Sequence, residues 1–239
     1  MEDRYAGDAG DFGKIGLLRV LAQSGFQIGV NWYLVSDEAH NDDGKHVGYL
    51  CDPKFEGCDD ELLGKLGCMV FNKQRSVRAL EEMDLIPNAT YFHETLLHPK
   101  EGGPGFRNQW HRAALKKLKD SDIVFLDPDN GLLVKSVSPN GQKSIKYVSR
   151  NELTDYYSAG HSIVFYNHRC RQDEQTYLNR FNDAFSCEGL CNAKVLSIKF
   201  VRGTIRDYFF LLHSKHVRQA ADSIEFILNS SWSQHFKRL

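Results

Sequence analysis

The chain has 239 residues, of which 41% are hydrophobic and 26% are charged. Its 30 Lys and Arg nearly balance its 31 Asp and Glu, so the formal net charge of −1 supplies no overall attraction for polyanions. A mean hydropathy of −0.45 and 12% aromatic residues argue against a membrane protein and against a disordered chain. We expect a single α/β domain over residues 1–239, with any nucleic-acid surface confined to a local patch.

Helical and strand patterns alternate along the chain, in the rhythm of βαβ units. The first helix is predicted over 12–23 with Asp11 as its cap, and the almost wholly apolar strand over 27–35 suits a parallel sheet covered on both faces. The elements predicted after these are helix 59–66, strand 68–71, helix 73–83, strand 90–93, helix 106–119, strand 123–126, helix 151–157, strand 163–166, helix 173–185, strands 195–201 and 208–213, and helix 215–228.

The last two predicted strands are separated by only a few residues around Gly203, which favours an antiparallel hairpin. The whole pattern therefore predicts a doubly wound, mostly parallel, Rossmann-like sheet with an antiparallel edge strand. The polar, acidic segment Met1–Tyr5 is unlike a signal peptide and predicts a cytoplasmic protein. The six cysteines are expected to be thiols there, and because their spacing fits no zinc module we assign them no chemistry.

The start of the first helix carries the first candidate cluster. It consists of Tyr5, Asp8, Asp11 and Lys14, and the spacing of three places the last three on one side of a helix. The helix dipole favours an acid at this position by about 0.3–1 kcal/mol, so capping alone explains Asp11. Glycines at positions 7, 10 and 13 each cost up to about 1 kcal/mol inside a helix. Close approach of a ligand would account for them, and both interpretations stay open.

The loop after the first strand is the second candidate cluster. Residues 36–46 hold four acids and two histidines, among them Asp37 and His40. They could bind a hard cation, clamp a ribose or an amine, or form a solvated surface loop. Because ligands of open α/β sheets bind beyond the carboxyl ends of the strands, this position favours a cofactor site.

Two later strands also end in polar residues. Asp127, Asp129 and Asn130 follow an apolar strand, in a turn held by proline and glycine that can present carboxylates and carbonyls to a planar ligand. An ordinary surface turn is the alternative. The next strand ends in three further candidates, Asn167, His168 and Arg169, and the cationic pair of Arg169 and Arg171 could hold a phosphate. A loop that leads into a helix would also explain them.

Over about residues 5–213, these segments resemble in their order the adenine-N6 ribosomal-RNA methyltransferases of the RlmJ type. Residues 5–14 are similar to the opening motif of that family, 32–40 to its cofactor loop, 127–130 to its Asp-Pro-Pro-Tyr and 165–167 to its Trp-Tyr-Pro. Two departures stand out, because no glycine follows the first strand before Gly44 and Asn130 replaces the aromatic residue. The strings around 7–8, 40–41 and 127–131 also resemble bacterial proteins with no assigned function.

The resemblance implies a class I methyltransferase-like fold and an enzyme that uses S-adenosylmethionine to methylate a nucleobase amino group. The residues that it places around the cofactor are Asp8, Asp11, Lys14, Asp37 and His40. The residues that it places at the amino group are Asp127, Asp129 and Asn130. Substrate contacts are expected from Tyr5, Asn167, His168 and Arg169. The implied partner is a nucleic acid or a nucleotide, with no membrane, and the oligomeric state stays open.

A divalent-metal site, for example for Mg²⁺, is the main alternative. Its candidate ligands are Asp37, His40, Asp127, Asp129 and His168, and the expected reaction is the hydrolysis of nucleic acid or nucleotides. The missing glycine turn favours this alternative, whereas the absence of metal-ligand spacing within any one segment counts against it. A further alternative is a non-catalytic module that binds nucleotides or RNA on the same scaffold.

Overall fold

A seven-stranded sheet forms the centre of the structure, which is a computed structural model that describes residues 1–37 and 46–239. The strands of this sheet are β1 (Ile28–Asn31), β2 (Thr90–Phe92), β3 (Ile123–Leu126), β6 (Ser162–His168), β7 (Lys194–Arg202), β8 (Thr204–Leu212) and β9 (Phe236–Arg238). Two short strands, β4 (Gly131–Leu132) and β5 (Tyr147–Val148), pair separately.

The strand order in the main sheet is β2-β1-β3-β6-β8-β7-β9. The first four strands of this order are parallel to one another, β8 is antiparallel to both of its neighbours, and β9 is antiparallel to β7. The predictions of an α/β class, a mostly parallel sheet and an antiparallel edge are therefore confirmed. The predicted hairpin around Gly203 is formed by β7 and β8. However, β8 lies inside the sheet, and the reversed edge strand is β9, which the sequence pattern did not predict.

Eight α-helices occur in the described part of the chain. They are α1 (Ala9–Gln23), α2 (Asp60–Phe71), α3 (Val77–Glu82), α4 (Pro99–Gly102), α5 (Phe106–Lys117), α6 (Arg150–Ser158), α7 (Glu174–Phe185) and α8 (Val217–Asn229). Side chains of α1, α2, α3 and α8 share one buried apolar cluster, and those of α5, α6 and α7 share a second. None of the described helices combines the length and the apolar composition that crossing a bilayer requires.

The central strand β3 contributes to both apolar clusters. Ile123 and Phe125 belong to the cluster of α1, whereas Val124 and Leu126 belong to the cluster of α6. This division follows from the strand geometry, in which successive side chains point to opposite faces of the sheet. Because both faces of β3 are buried, the polar residues that follow Leu126 come directly after a rigid, fully covered strand.

The first helix begins three residues earlier than predicted. Asp8, and not Asp11, is its N-cap, because Asp8 Oδ1 accepts a hydrogen bond of 2.9 Å from Asp11 N. The carboxylate of Asp11 is thereby free for other contacts. One of its oxygens accepts a hydrogen bond of 2.8 Å from Gly7 N, and the other is paired with Lys14.

The glycines of this segment allow protein side chains to pack closely against it. Gly7 has a φ of 77°, which favours glycine. A Cβ atom at Gly13 would lie 2.6 Å from the ring of Phe200, and a Cβ atom at Gly10 would overlap the guanidinium group of Arg206. The close approach that these helical glycines permit is therefore to strands β7 and β8 of the same chain.

One predicted strand is absent from the structure, and another ends earlier than predicted. The predicted strand over 68–71 is wrong, because these residues form the end of α2, in which Leu62, Leu66 and Met69 bury one helical face. Strand β1 ends at Asn31 instead of residue 35. Tyr33, with a φ of 46°, turns the chain away from the sheet, and Val35 N donates a hydrogen bond of 2.9 Å to Met1 O.

Candidate functional site

A pocket of about 450 Å³ opens beyond the carboxyl ends of β3 and β6, beside the first two turns of α1. We call it the aspartate pocket, because Asp8, Asp11, Asp127 and Asp129 all line it. Its other lining side chains include Tyr5, Lys14, Asn130, His168, Arg206 and Tyr208. The chain thus gathers residues from its beginning, its middle and its last third at the edge of the sheet where α/β proteins bind ligands.

Lys14 is the central cation of the pocket. Its Nζ donates hydrogen bonds to Asp11 Oδ1 at 2.7 Å and to Asp127 Oδ2 at 2.6 Å, and it lies 5.2 Å from the centre of the Trp32 ring. Burial lowers the pKa of Lys14, but the two carboxylates outweigh this and raise it well above its usual value. The ammonium group is therefore permanently charged and fixes both carboxylates in the pocket wall.

Two of the pocket carboxyl groups are harder to ionise than usual. Burial raises the pKa of Asp127, and the charges of Lys14 and of the Met1 amino group oppose this rise only in part. Burial and the charge of Asp11 raise the pKa of Asp8, although Arg206 Nη2 lies 3.5 Å from Asp8 Oδ2. Such shifted acids concentrate at ligand-binding and catalytic sites.

Asp129 has the opposite character. Burial raises its pKa, but the amino group of Met1, the charge of Lys146 and a hydrogen bond with Glu2 together outweigh burial, so the pKa of Asp129 is lowered. The Met1 amino group lies 2.7 Å from Asp129 Oδ1 and also donates hydrogen bonds to Tyr33 O at 3.0 Å and to Asp127 O at 3.2 Å. These contacts hold the turn after β3 against the segment after β1.

The pocket also presents phenol groups. The Tyr166 hydroxyl lies 3.1 Å from His168 Nδ1. Tyr208 is fully buried, and its hydroxyl makes no hydrogen bond to any described residue. Burial raises the pKa of both phenols well above the usual value, so they stay protonated. An unpaired buried hydroxyl is costly, so the Tyr208 hydroxyl is a polar group of the pocket wall whose hydrogen-bonding capacity the described residues leave unsatisfied.

Arg206 and Tyr208 are pocket residues that the sequence analysis missed. The predicted strand began at residue 208, whereas β8 begins at Thr204, and its pairing sets Arg206 opposite His168 and Tyr208 opposite Tyr166. A signal for them exists in the alternation of Thr, Arg and Tyr at positions 204, 206 and 208. This alternation indicates pocket residues only if β8 is known to pair with β6.

His168 and Asn167, two of the candidates at the end of β6, point to opposite faces of the sheet. His168 lines the aspartate pocket, whereas Asn167 does not, because neighbouring strand residues point to opposite faces. Asn167 is buried and donates hydrogen bonds to Tyr177 Oη at 2.7 Å and to His168 O at 3.0 Å. Its Oδ1 accepts a hydrogen bond of 3.0 Å from Leu132 N. Its contacts therefore support the turn after β3 and lie outside the pocket.

Two other predicted site residues also lie away from the pocket. Arg169 Nε and Nη2 donate hydrogen bonds of 2.7 and 2.9 Å to the carboxylate of Asp207, and its Nη1 donates one of 2.9 Å to Glu174. This paired guanidinium group does not line the pocket. The carboxylate of Asp37 accepts a hydrogen bond of 3.4 Å from Arg4 N and is likewise not part of the lining. His40 lies outside the described residues.

The proposed metal ligands are only partly brought together. Asp127, Asp129 and His168 line one pocket, but Asp37 does not, and His40 is in the segment that is not described. Within residues 1–37 and 46–239, no group of three or more His, Cys, Asp or Glu side chains is arranged to hold a metal ion. In the pocket, the Lys14 ammonium group occupies the space between two of the carboxylates.

Comparison with known proteins adds little to this geometry. No protein-family model matches the chain, and no curated protein matches it. Among solved structures, the chain is similar to a Legionella pneumophila protein described by the family model DUF519. The sequence identity is 11% and the TM-score 0.44, and the match covers 98% of this chain and 97% of that one. Because this similarity is too distant to assign a family or an activity, function has to be argued from the aspartate pocket itself.

Proposed function

We propose that the chain is a methyltransferase-like enzyme that uses S-adenosylmethionine to methylate an amino group of a nucleobase, in a nucleic acid or a nucleotide. The supporting observation is that Asp127 and Asn130, the two acceptors at the end of β3, line the same pocket as three tyrosines. This combination suits an amine on an aromatic ring, because the carboxylate and amide accept its N–H groups while phenol rings contact the base.

The acceptors of the pocket have the required chemistry. Asp127 Oδ2 is engaged by Lys14, but its Oδ1 makes no hydrogen bond within the described part of the chain, and neither does the Asn130 side chain. Oriented acceptors hold the amino nitrogen in line for methyl transfer and stabilise the positive charge that develops on it. Burial raises the pKa of Asp127, which makes its carboxylate a better acceptor for the proton that leaves the methylated nitrogen.

The aromatic side chains of the aspartate pocket come from elements other than the turn after β3. In the family that the sequence resembles, an aromatic residue stands where this chain has Asn130. Of the three tyrosines that line the pocket, Tyr208 is fully buried, whereas Tyr5 in the N-terminal segment and Tyr166 in β6 are partly exposed and offer ring surface. These rings support stacking of a base despite the loss of the ring at Asn130.

S-adenosylmethionine fits the charges of the aspartate pocket better than the segment directly after β1. In that segment, residues 32–35 contact the first residue of the chain, with Tyr33 O and Val35 N hydrogen-bonded to Met1. In the pocket, Asp8 and Asp129 would hold the amino group and the hydroxyls of the cofactor, and Arg206 its carboxylate. When bound, the cofactor would supply the methyl group as an electrophile.

Calorimetry with S-adenosylmethionine tests this proposal. We expect binding that Asp127→Asn weakens at least tenfold, together with transfer of a methyl group to RNA, DNA or nucleotides detected by mass spectrometry. Asp37→Ala is the matched control, because Asp37 was predicted to bind the cofactor but lies outside the pocket. Absence of binding up to millimolar cofactor would refute the proposal, and binding without transfer would favour the non-catalytic module.

The four aspartates favour a second candidate, a divalent-metal-dependent hydrolase of nucleic acids or nucleotides. We rank it second because the Lys14 ammonium group already bridges Asp11 and Asp127, where a metal ion would have to bind. Incubation with Mg²⁺ or Mn²⁺ and a mixture of RNA, DNA and nucleotides distinguishes the two candidates. Metal-dependent cleavage that Asp127→Asn abolishes, without any methyl transfer, would replace the first proposal by the second.

A further inference from the structure

A second and larger cavity lies on the α5 and α6 side of the β4–β5 pair. Its volume is about 1060 Å³, and it shares no lining residue with the aspartate pocket. Asn130 and Lys146 line the aspartate pocket, whereas Leu132 and Ile145 line this second cavity. We call it the His111 groove. It lies beside the proposed active site, yet the proposed function gives it no role.

Two polar atoms in the wall of the groove are buried without a partner. His111 is 6% exposed and Ser144 is 2% exposed, and neither His111 Nδ1 nor Ser144 Oγ makes a hydrogen bond to a described residue. His111 Nε2 lies 3.0 Å from Asp155 Oδ2, so in the neutral ring Nε2 carries the hydrogen and Nδ1 is an acceptor. The wall thus offers one acceptor and one hydroxyl, each of which lacks the partner that buried polar atoms normally have.

The strongest charges of the groove are neutralised within the protein. Arg107 donates hydrogen bonds to both oxygens of Glu152, at 2.7 and 2.8 Å, and to the backbone oxygens of Ser144 at 2.9 Å and Tyr147 at 2.6 Å. Burial raises the pKa of Glu152, but Arg107 outweighs burial and lowers it, so the pair stays ionised. The other cationic lining residues, Lys135 and Arg150, are exposed at the rim. The interior of the groove therefore has no unpaired charge to attract an ionic ligand.

The rest of the wall combines apolar side chains with a smaller number of neutral polar ones. The apolar ones include Leu96, Phe106, Leu132, Val134, Val137 and Ile145, and the polar ones are Asn108, Asn140, Ser149 and Asn151. An apolar wall with a few convergent neutral polar groups is typical of sites for small, mainly uncharged ring compounds. A nucleobase has flat apolar faces and an edge that carries both N–H donors and acceptors. These features match the walls, His111 Nδ1 and Ser144 Oγ, whereas an aliphatic chain would leave both polar atoms unpaired.

We propose that the His111 groove is a binding site for an uncharged nucleoside, with the base between the apolar walls. Its N–H donates to His111 Nδ1, and a second polar atom of its edge pairs with Ser144 Oγ. This site is distinct from the aspartate pocket and does not depend on the methyltransferase proposal, because none of its lining residues belongs to that pocket.

The test titrates the full-length Asp127→Asn protein with adenosine and with cytidine, followed by calorimetry. This background weakens binding in the aspartate pocket, and the two substitutions in the groove then show whether the remaining signal comes from the groove. We expect at least one of the two nucleosides to bind. Ser144→Ala should weaken that binding about fivefold, because it removes only a hydroxyl without a partner. His111→Phe should weaken it about tenfold or more. Ser136→Ala, an exposed serine outside the lining, is the matched control and should leave binding unchanged.

Three results would overturn the proposal. They are the absence of binding of both nucleosides at millimolar concentration, a Ser144→Ala dissociation constant within twofold of the parent value, and tighter binding of decanol than of either nucleoside. Thermal unfolding of each variant identifies any loss of fold. If His111→Phe unfolds, the Ser144→Ala result alone decides, because that substitution removes no hydrogen bond between described residues.

Discussion

Lys14 and Asp127 are 113 positions apart in the sequence, and a buried hydrogen bond of 2.6 Å joins them. The same ammonium group holds Asp11 at 2.7 Å. One cation therefore bridges two carboxylates, one from the first helix and one from the turn after β3. The geometry of the aspartate pocket depends on this contact, because it ties the mobile end of a long side chain to two fixed backbone elements.

We expect Lys14→Met to lower the free energy of unfolding by about 3 kcal/mol or more, because it leaves two buried carboxylates without their cation. Chemical denaturation measures the loss. Lys65→Met is the control, since the pair of Lys65 with Glu61 lies on the surface and should contribute less than about 1 kcal/mol. Equal losses of unfolding free energy in the two variants would show that the contacts of Lys14 with Asp11 and Asp127 do not stabilise the fold more than a surface ion pair does.

Tyr208→Phe should separate stability from binding. The Tyr208 hydroxyl has no partner in the described chain, so its removal should leave the free energy of unfolding unchanged or raise it by about 1 kcal/mol. The same substitution should weaken binding of S-adenosylmethionine or of the nucleobase about fivefold, measured by calorimetry. A loss of stability without any change in binding would contradict a ligand-facing hydroxyl.

Gly10→Ala should disturb the pocket from within the helix. Alanine in place of glycine normally stabilises a helix by about 1 kcal/mol, but here the added Cβ would overlap Arg206. The guanidinium group of Arg206 has to move away from Asp8, so we expect Gly10→Ala to stabilise the fold less than the control does and to weaken ligand binding. Gly64→Ala in α2 is the control, because no described atom lies within 4 Å of the added Cβ, and it should be stabilising. Parallel stabilisation by both substitutions would contradict the packing described for α1.

Asn167 and His168 should give opposite results when replaced by alanine. Asn167→Ala removes three hydrogen bonds, two of them buried, and should lower the free energy of unfolding by about 1–3 kcal/mol, with a smaller effect on ligand affinity at temperatures where the protein stays folded. His168 is exposed and lines the pocket, so His168→Ala should change affinity and hardly alter stability. Denaturation and calorimetry on both variants provide the comparison.

The stability of the fold should fall in mild acid through His235. Burial, reinforced by the charge of Arg202, lowers the pKa of this histidine to about 4, and Arg202 Nε donates a hydrogen bond of 2.6 Å to its Nδ1. An unfolded histidine binds a proton near pH 6.5, so below that pH the unfolded chain takes up the proton before the folded one. The contribution of His235 is therefore complete above about pH 6.5 and is lost as the pH falls towards 4.

This pH dependence amounts to about 2–3 kcal/mol for the one residue. Denaturation of the wild-type protein and of His235→Gln at pH 7.0, 5.5 and 4.5 isolates it from the carboxyl groups, which titrate in both proteins. The difference in stability between the two proteins should narrow as the pH falls. A constant difference would show that His235 is not held neutral by its surroundings.

Much of the fold was predictable because the apolar patterns are strong. The strand over 123–126 and the helix over 174–185 were located to within one residue, since their buried faces follow the expected periods. The false strand over 68–71 arose because a short apolar run at the end of α2 is equally compatible with either structure. The early end of β1 could not be predicted, because it depends on contacts of Tyr33 and Val35 with Met1, which is distant in sequence.

The candidate site was predictable only in part, because some of its residues are set by contacts between segments that are distant in sequence. Residues that follow β3 or cap α1 could be found from local patterns, and Asp8, Asp11, Lys14 and Asp127 do line one pocket. Which side of β6 faces that pocket depends on the register with β8, and the sequence does not specify this pairing locally. For this reason the sequence predicts the same role for His168 and Asn167, and it does not predict that Arg206 in β8 lines the pocket.

The contact between the start of α1 and β8 has a consequence for biosynthesis. Asp8 and Arg206 are separated by 198 positions, so the first helix leaves the ribosome long before the strand that completes its surroundings. Contacts between such distant segments form late, and until then the nascent chain exposes the groups that will meet there. The aspartate pocket is consequently among the last regions to mature, and translation products that stop before the hairpin would lack it altogether.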